Sequence, residues 1–224
     1  MKLVLHNYWR SSASQRVRIA LGLKQLPFDY VAINIVKEGQ FSDDYRALNP
    51  LAQVPTLEIT EEDGSVWSIS QSLPIIEYLD ERFADHPLLP KHPFARARAR
   101  ALAEIVNSGI QPLQNLTTTN AVKKLGGDEA LWPQPFIAGG LAAYERLVID
   151  TAKSLAYEPG PFSVGDAPSI ADCCLVPQLA SARRFGVDYT KHELLVKIEA
   201  SCMALDAFKN AVPDQQPDAV RPQQ

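Results

Sequence analysis

The spacing of apolar positions changes its period once along the chain. Over the first eighty or so residues, short β-rich runs alternate with helical stripes; beyond them only the helical period remains. Residues 2–8 alternate weakly and briefly, as a buried strand does, and a polar turn carrying Ser11 and Ser12 follows. It opens an amphipathic helix whose apolar side is Val17, Ala20 and Leu21, ended by Pro27. Residues 28–35, FDYVAINI, are rich in β-formers and read as a second strand. After a loop with Gly39 and Gln40, residues 42–48 form a short helical piece closed by Asn49 and Pro50. Residues 53–60 and 66–70 are two further strands joined by an EEDG hairpin turn. Gln71 and Ser72 then open a helix with Pro74 in its first turn, where the missing N–H costs little. Its buried stripe is Ile75, Ile76 and Leu79, which completes the order β-α-β-α-β-β-α through Phe83.

Pro87, Pro90 and Pro93 give residues 84–93 the density of a linker. Helical periods then run over residues 94–116, 135–155, 169–184 and 193–211. Ser169 to Asp172 fits a capping box ahead of the apolar run Cys173 to Val176, and Pro177 is expected to kink that helix. The resulting division is an α/β domain over residues 1–83, the linker, an all-helical domain over 94–214 and a flexible tail over 215–224.

A chain of 224 residues buries roughly 70% of its unfolded surface, so a self-sufficient core is expected. Its net charge of -4 argues against a nucleic-acid partner, which needs a basic face. Arg96, Arg98 and Arg100 alternate with alanines around a helix and read as a solvated or interface face. No apolar run approaches the about 18 residues of a membrane span, and residues 1–5 lack the apolar core of a secretory leader. Three cysteines, Cys173, Cys174 and Cys202, suit reduced, buried thiols in a cytoplasmic protein. The four histidines have no metal-ligand spacing, and no metal site is expected.

Three places could carry chemistry. Ser11 and Ser12 stand where a helix N-cap is wanted; besides capping, that positive helix end can hold an anion or stabilise a thiolate. A cis Val54–Pro55 bond would turn the backbone of Val54 outward to pair with an extended ligand, although trans is the default, since cis accounts for only about 5–6% of such bonds. Ser72 heads a helix, a natural carboxylate site.

This β-α-β-α-β-β-α domain, the Pro-rich linker and the helical domain with its capping box together resemble the cytosolic glutathione transferases over nearly the whole chain. SSASQRVRIAL is similar to the zeta-class signature S-S-C-x-x-R-V-R-I-A-L, and ALNPLAQVPTLEI, SQSLPIIEYL, GIQPLQNL and DCCLVPQLASARRF are similar to further zeta-class segments in the same order. The resemblance implies a thioredoxin-like first domain that holds glutathione and a helical second domain that supplies most of the electrophile pocket. It sets Ser11 and Ser12 against the glutathione sulfur and puts the whole turn, Ala13, Ser14, Gln15 and Arg16 included, in the site. Gln40 is expected at the glycyl end, Val54 with the family's cis Pro55 along the cysteinyl backbone, and Gln71 and Ser72 at the γ-glutamyl end. Gln111, Asn115, Leu116 and Thr117 are expected to close the pocket.

The class includes an isomerase that converts maleylacetoacetate to fumarylacetoacetate in tyrosine and phenylalanine breakdown. There a thiolate adds to the cis alkene, the new single bond rotates, and elimination gives the trans product, so glutathione is a cofactor. Ser11, with Ser12 as neighbour and substitute, is expected to favour the thiolate, and Arg10 and Arg184 to meet the two substrate carboxylates. Ala13 stands where the class usually has Cys and Gln15 where Trp or His is common, so no protein thiol assists. Maleylpyruvate isomerases also lack that Cys, but tend to carry His and Arg where this chain has Gln111 and Thr117. The alternatives are therefore maleylpyruvate isomerisation, a broad transferase acting on small haloacids, and a glutathione-binding protein without catalysis. A two-fold homodimer is implied as well.

Overall fold

Leu3, Val4 and Leu5 are buried in strand β1 (Lys2–Asn7), which runs through the middle of the first of two units in the computed structural model. Residues 1–220 are described; the first unit comprises residues 1–87 with the chain from Leu205 onward, and the second is Leu88–Ala204. Strand β2 (Asp29–Ala32) pairs parallel with β1, Leu5 facing Tyr30. On the other side β3 (Thr56–Thr60) pairs antiparallel with β1, and β4 (Val66–Ser70) with β3, giving the order β2-β1-β3-β4 among the described residues. Parallel β1 and β2 need a crossover, and helix α1 (Ser12–Leu23) supplies it. It buries Val17, Ile19, Ala20 and Leu21 and packs beside α3 (Ser72–Arg82), which buries Leu73, Ile75, Ile76 and Leu79. At about 1.5–3 kcal/mol for each fully buried aliphatic side chain, this layer is a major source of the unit's stability.

The second strand is shorter than the run FDYVAINI suggests. Asn34 accepts the N–H groups of Val36 and Lys37, both at 3.1 Å, and so caps a 3-10 turn over Ile35–Lys37. A local side-chain acceptor here outcompetes continuation of the ladder. A second such turn, Gly39–Phe41, carries Gln40, and α2 (Asp43–Leu48) follows with Ser42 as its cap.

Lys24, at the end of α1, fixes the end of α3. Its fully buried Nζ lies 2.9 Å from the Asp80 carboxylate and donates to the carbonyls of Phe83 (2.7 Å) and Asp85 (3.0 Å). Residues 84–87, read as linker, are thereby tied into the first unit.

In the second unit α4 (Pro93–Glu104) passes into a π-helical turn, Ile105–Ile110, then α5 (Gln111–Gln114) and α6 (Leu116–Lys124). The single helix expected over residues 94–116 is broken twice. Pro112 has no N–H for the preceding turn, and Asn115 leaves the helix and caps α6 by accepting the Thr117 N–H at 3.1 Å. Helix α7 (Gln134–Ser154) passes close to the π turn at Gly140, where a Cβ would run into the Ile110 side chain. Helix α8 (Ile170–Arg184) starts on the expected capping box and continues through Pro177. Buried Asp172 accepts the N–H groups of Ser163 and Ser169, both at 2.8 Å, bonds that oppose the upward push of burial on its pKa. Arg96, Arg98 and Arg100 are half-buried; Arg96 donates to the Pro90 carbonyl and Arg98 lies over the Phe94 ring.

Helix α9 (Glu193–Met203) ends before the expected Ala211, because Leu205 is extended. The chain then belongs to the first unit, contrary to the expected boundary at 214. Helical turn α10 (Asp206–Lys209) buries Phe208 and lies against α1 at Gly22, where a Cβ would stand 3.1 Å from Ala207 Cα. Nor are residues 215–220 the flexible tail expected of them. The Gln216 amide donates to the carbonyls of Asn210 and Val212, and Asp218 accepts the Tyr30 hydroxyl. Residues 221–224 of that expected tail lie outside the described residues. No helix among the described residues is long and apolar enough to cross a membrane.

Candidate functional site

The turn between β1 and α1 is built from buried polar groups. Asn7 closes β1, and its Oδ1 accepts from the Arg18 guanidinium at 2.8 Å. Arg18 reaches back from α1 to the carbonyls of Tyr8 and Trp9, and Ser11 N–H closes the turn on Tyr8 O at 3.0 Å. Ser11 is the N-cap: its Oγ accepts the Ser14 N–H at 3.2 Å, and its carbonyl accepts the Gln15 N–H at 2.9 Å. As an acceptor in the cap, Ser11 keeps its own proton to donate. Ser12 is the first helical residue, so its N–H is among the groups the helix itself cannot satisfy. Ser11, Ser12 and Ala13 are half-buried, while Ser14, Gln15 and Arg16 are buried. The first turn of α1 holds no acidic side chain. Arg10 is exposed, with its guanidinium 5.6 Å from the centre of the Trp9 ring.

The start of α3 adjoins this turn through Arg16. That side chain is 1% exposed, and its Nη1 donates to Ser72 Oγ at 3.1 Å. A buried guanidinium therefore backs a helix N-terminus that also has no acidic residue in its first turn. Gln71, ahead of it, has φ of 74°, in a region that side chains other than glycine's seldom occupy and that clusters at functional sites. Its Nε2 donates to Gln53 Oε1 at 3.3 Å.

The Val54–Pro55 bond is cis, not the trans default of the residue-level reading. The paired residues of β3 begin at Thr56, so the backbone of Val54 takes no part in the ladder. The segment before it is held by residues the sequence reading passed over. Gln53 O accepts from the Tyr45 hydroxyl (2.6 Å) and the Asn49 amide (2.7 Å), and both also bond Thr56 Oγ1. Their only signal in the sequence was the Asn-Pro pair closing the short helix. Gln40 Oε1 is buried and has no hydrogen-bond partner among the described residues.

The residues expected from the helical half lie in the second unit. Gln111 opens α5 immediately after the π turn and is half-buried; Leu116 and Thr117 are exposed at the start of α6. The Asn115 side chain is engaged as the cap of α6. The buried amide of this region is Gln114, which pairs reciprocally with Gln178 at 2.9 and 3.0 Å. Arg184 is exposed with its guanidinium over the Phe185 ring. Cys173, Cys174 and Cys202 are buried thiols outside any disulfide among the described residues, and burial pushes the Cys202 pKa far up, so it is a poor nucleophile.

Within the first unit this leaves two adjoining helix N-termini, one with a half-buried hydroxyl pair and one backed by a buried guanidinium, beside a backbone segment free of the ladder. Such an arrangement suits an extended, peptide-like molecule with a carboxylate at one end and a group that gains negative charge at another.

Residues 10–82 match the family model of the glutathione S-transferase N-terminal domain. A maleylpyruvate isomerase of Ralstonia is 43% identical, over 96% of this chain and 99% of its own. A zeta-class glutathione S-transferase of Euphorbia esula is 42% identical, over 99% of this chain and 94% of its own. Among solved structures, the maleylacetoacetate isomerase of Anaeromyxobacter dehalogenans with bound glutathione in its active site is 47% identical and superposes with a TM-score of 0.87, covering 98% of each chain. With this likeness running the length of the chain and the family's expected cis proline present, the chain belongs to the zeta class of the glutathione S-transferase family.

Proposed function

We propose that this protein is a glutathione-dependent cis-trans isomerase that converts maleylacetoacetate to fumarylacetoacetate, acting as a cytoplasmic homodimer in the breakdown of tyrosine and phenylalanine. The observation that carries the reading is the Arg16 to Ser72 bond, which backs a carboxylate-binding helix end with buried positive charge next to the Ser11 turn. Glutathione fits the residues present. Ser72 and Gln71 would hold its γ-glutamyl end, the Val54 backbone its cysteinyl unit, and Gln40, whose buried amide oxygen has no hydrogen-bond partner among the described residues and can accept an N–H, its glycyl amide. When bound, glutathione would supply a sulfur nucleophile for reversible addition to the alkene, without being consumed.

The chain's own task is to favour ionisation of a thiol whose free pKa is about 8.5. Ser11 donates its hydroxyl proton toward the sulfur while its oxygen stays anchored by the Ser14 N–H, and the α1 N-terminus adds its positive end. Together these lower the pKa by about two units, or about 2.7 kcal/mol of preference for the charged form. Ser12 is the neighbouring hydroxyl, and Ala13, Ser14 and Gln15 complete the helical turn whose N-terminal end would face the sulfur. Ala13 leaves this work to the two serines and the helix end. Arg10 is exposed and offers a guanidinium to a substrate carboxylate. Pocket roles for Gln111, Asn115, Leu116 and Thr117, and a carboxylate role for Arg184, are part of the same proposal and are testable by single substitutions.

The Ralstonia relative favours a second reading, maleylpyruvate isomerase. Gln111 and Thr117, in place of the His and Arg common in those enzymes, favour the first. Purified protein with glutathione should convert maleylacetoacetate faster than maleylpyruvate or a dihalogenated acetate. Ser11→Ala should lower kcat on the order of 10². Conversion of maleylpyruvate alone would replace the first reading by the second, and glutathione binding without turnover of any of the three would leave a non-catalytic binding protein.

A further inference from the structure

The chain after α10 is the part of the first unit that the proposed chemistry does not use. Its Asp218 stands beside the turn that carries Ser11. Asp218 Oδ2 accepts the Trp9 backbone N–H at 3.2 Å, and Asp218 Oδ1 accepts the Tyr30 hydroxyl at 2.5 Å. Seven residues earlier, the Ala211 carbonyl accepts from both Nε and Nη2 of Arg18, at 3.2 and 3.1 Å. The same guanidinium donates to Asn7 Oδ1, Tyr8 O and Trp9 O. Both backbone groups of Trp9 are therefore fixed: its N–H by Asp218 and its carbonyl by Arg18. Trp9 is two residues ahead of Ser11, and the bond from Ser11 N–H to Tyr8 O closes the same turn.

The segment is itself firmly seated. Phe208 is fully buried, Gly22 lets α10 approach the backbone of α1, and the Gln216 amide closes residues 210–216 on themselves. Burial lowers the Arg18 pKa to about 10, so the guanidinium stays charged at neutral pH, with Asp218 as an attractive neighbour.

We propose that residues 211–218 form a positioning strap for the Trp9–Ser11 turn, with Asp218 and Arg18 as the positioning residues that set where the Ser11 hydroxyl meets the thiol. The inference rests on Ser11 being the partner of the thiol. A hydrogen-bonding group displaced by about 1 Å loses rate on the order of 10², and this turn has its backbone anchored from a segment some two hundred residues away in sequence.

The test is Asp218→Ala in the full-length protein, with Tyr30→Phe, which keeps the carboxylate and removes the hydroxyl that orients it. Three quantities are measured: hydrogen exchange of the Trp9 to Ser11 amides without ligand, the pKa of bound glutathione from its thiolate absorbance in the ultraviolet, and kcat with KM. Asp218→Ala is expected to speed exchange at Trp9 at least about tenfold while the amides of β3 keep their protection, to raise the thiol pKa by about one unit, and to lower kcat about tenfold with KM for the dicarboxylate little changed. Tyr30→Phe should show the same pattern more weakly, and it is the variant to read if Asp218→Ala does not fold. Asp218→Asn, which keeps an oxygen acceptor for Trp9 N–H, should restore most of the protection. Unchanged exchange and thiol pKa overturn the proposal, and so does faster exchange throughout the first unit, which would make Asp218 a general stabiliser. Ser11→Ala is measured alongside. If it leaves the thiol pKa unaltered, the assignment of Ser11 falls and the strap's catalytic role with it, while exchange at Trp9 still decides whether Asp218 holds the turn.

Discussion

Ser11 combines two duties that need different atoms. Its oxygen accepts the Ser14 N–H and caps α1, and its proton remains for the thiol. The plain N-cap and the chemical role thus coexist, and losing the hydroxyl costs about 1 kcal/mol of stability besides activity. Gln71 is the clearest case of strain kept at the site. Its φ of 74° was not legible in the sequence, where it stood only as the residue ahead of a helix. A non-glycine residue in such a conformation costs of order 1–3 kcal/mol. Gln71→Gly should therefore raise stability by about 1 kcal/mol, after the extra chain entropy of glycine is deducted, while weakening glutathione binding. Urea unfolding and calorimetric titration check the two halves; a variant less stable than the wild type would remove the strain argument.

Among the elements, boundaries moved where a polar side chain or a proline met the local backbone. Asn34 cut the second strand to four residues, and Pro112 with Asn115 divided the first long helix of the second unit. The apolar period stayed helical across Pro112 and Asn115, and for that reason it could not reveal the division there. Lys24 presents the opposite case, a long-range partner invisible to periodicity. Its buried ammonium answers Asp80 and two carbonyls at the end of α3, and Lys24→Met would leave the carboxylate of a nearly buried pair without it. Removing one member of such a pair typically costs about 3–5 kcal/mol. The midpoint of urea unfolding should fall accordingly, and a loss under about 1 kcal/mol would show that water replaces the ammonium.

The assembled protein is expected to be a dimer. In the first unit Leu51, Val66 and Trp67 are each more than 60% exposed, at 63%, 62% and 62%, apolar surface of the kind that association covers. Sedimentation at micromolar concentration should give about twice the chain mass, and Trp67→Glu should shift it toward the monomer; a wild-type monomer would contradict the expectation. The alternation of β-rich and helical runs was enough to give the strand and helix order of the first unit, the helical character of the second, the capping box at Ser169 and the serines at the head of α1, because each depends on neighbours a few residues apart. The Arg16 to Ser72 contact, the buried Gln114 and Gln178 pair and the return of residues 205–220 to the first unit needed the folded chain, as did the cis bond at Val54, which only the family resemblance had anticipated. Each of these is fixed by burial and by partners distant in sequence. A hydrogen bond between α1 and residue 211 has no local period to announce it, yet it holds the turn on which the proposed chemistry rests.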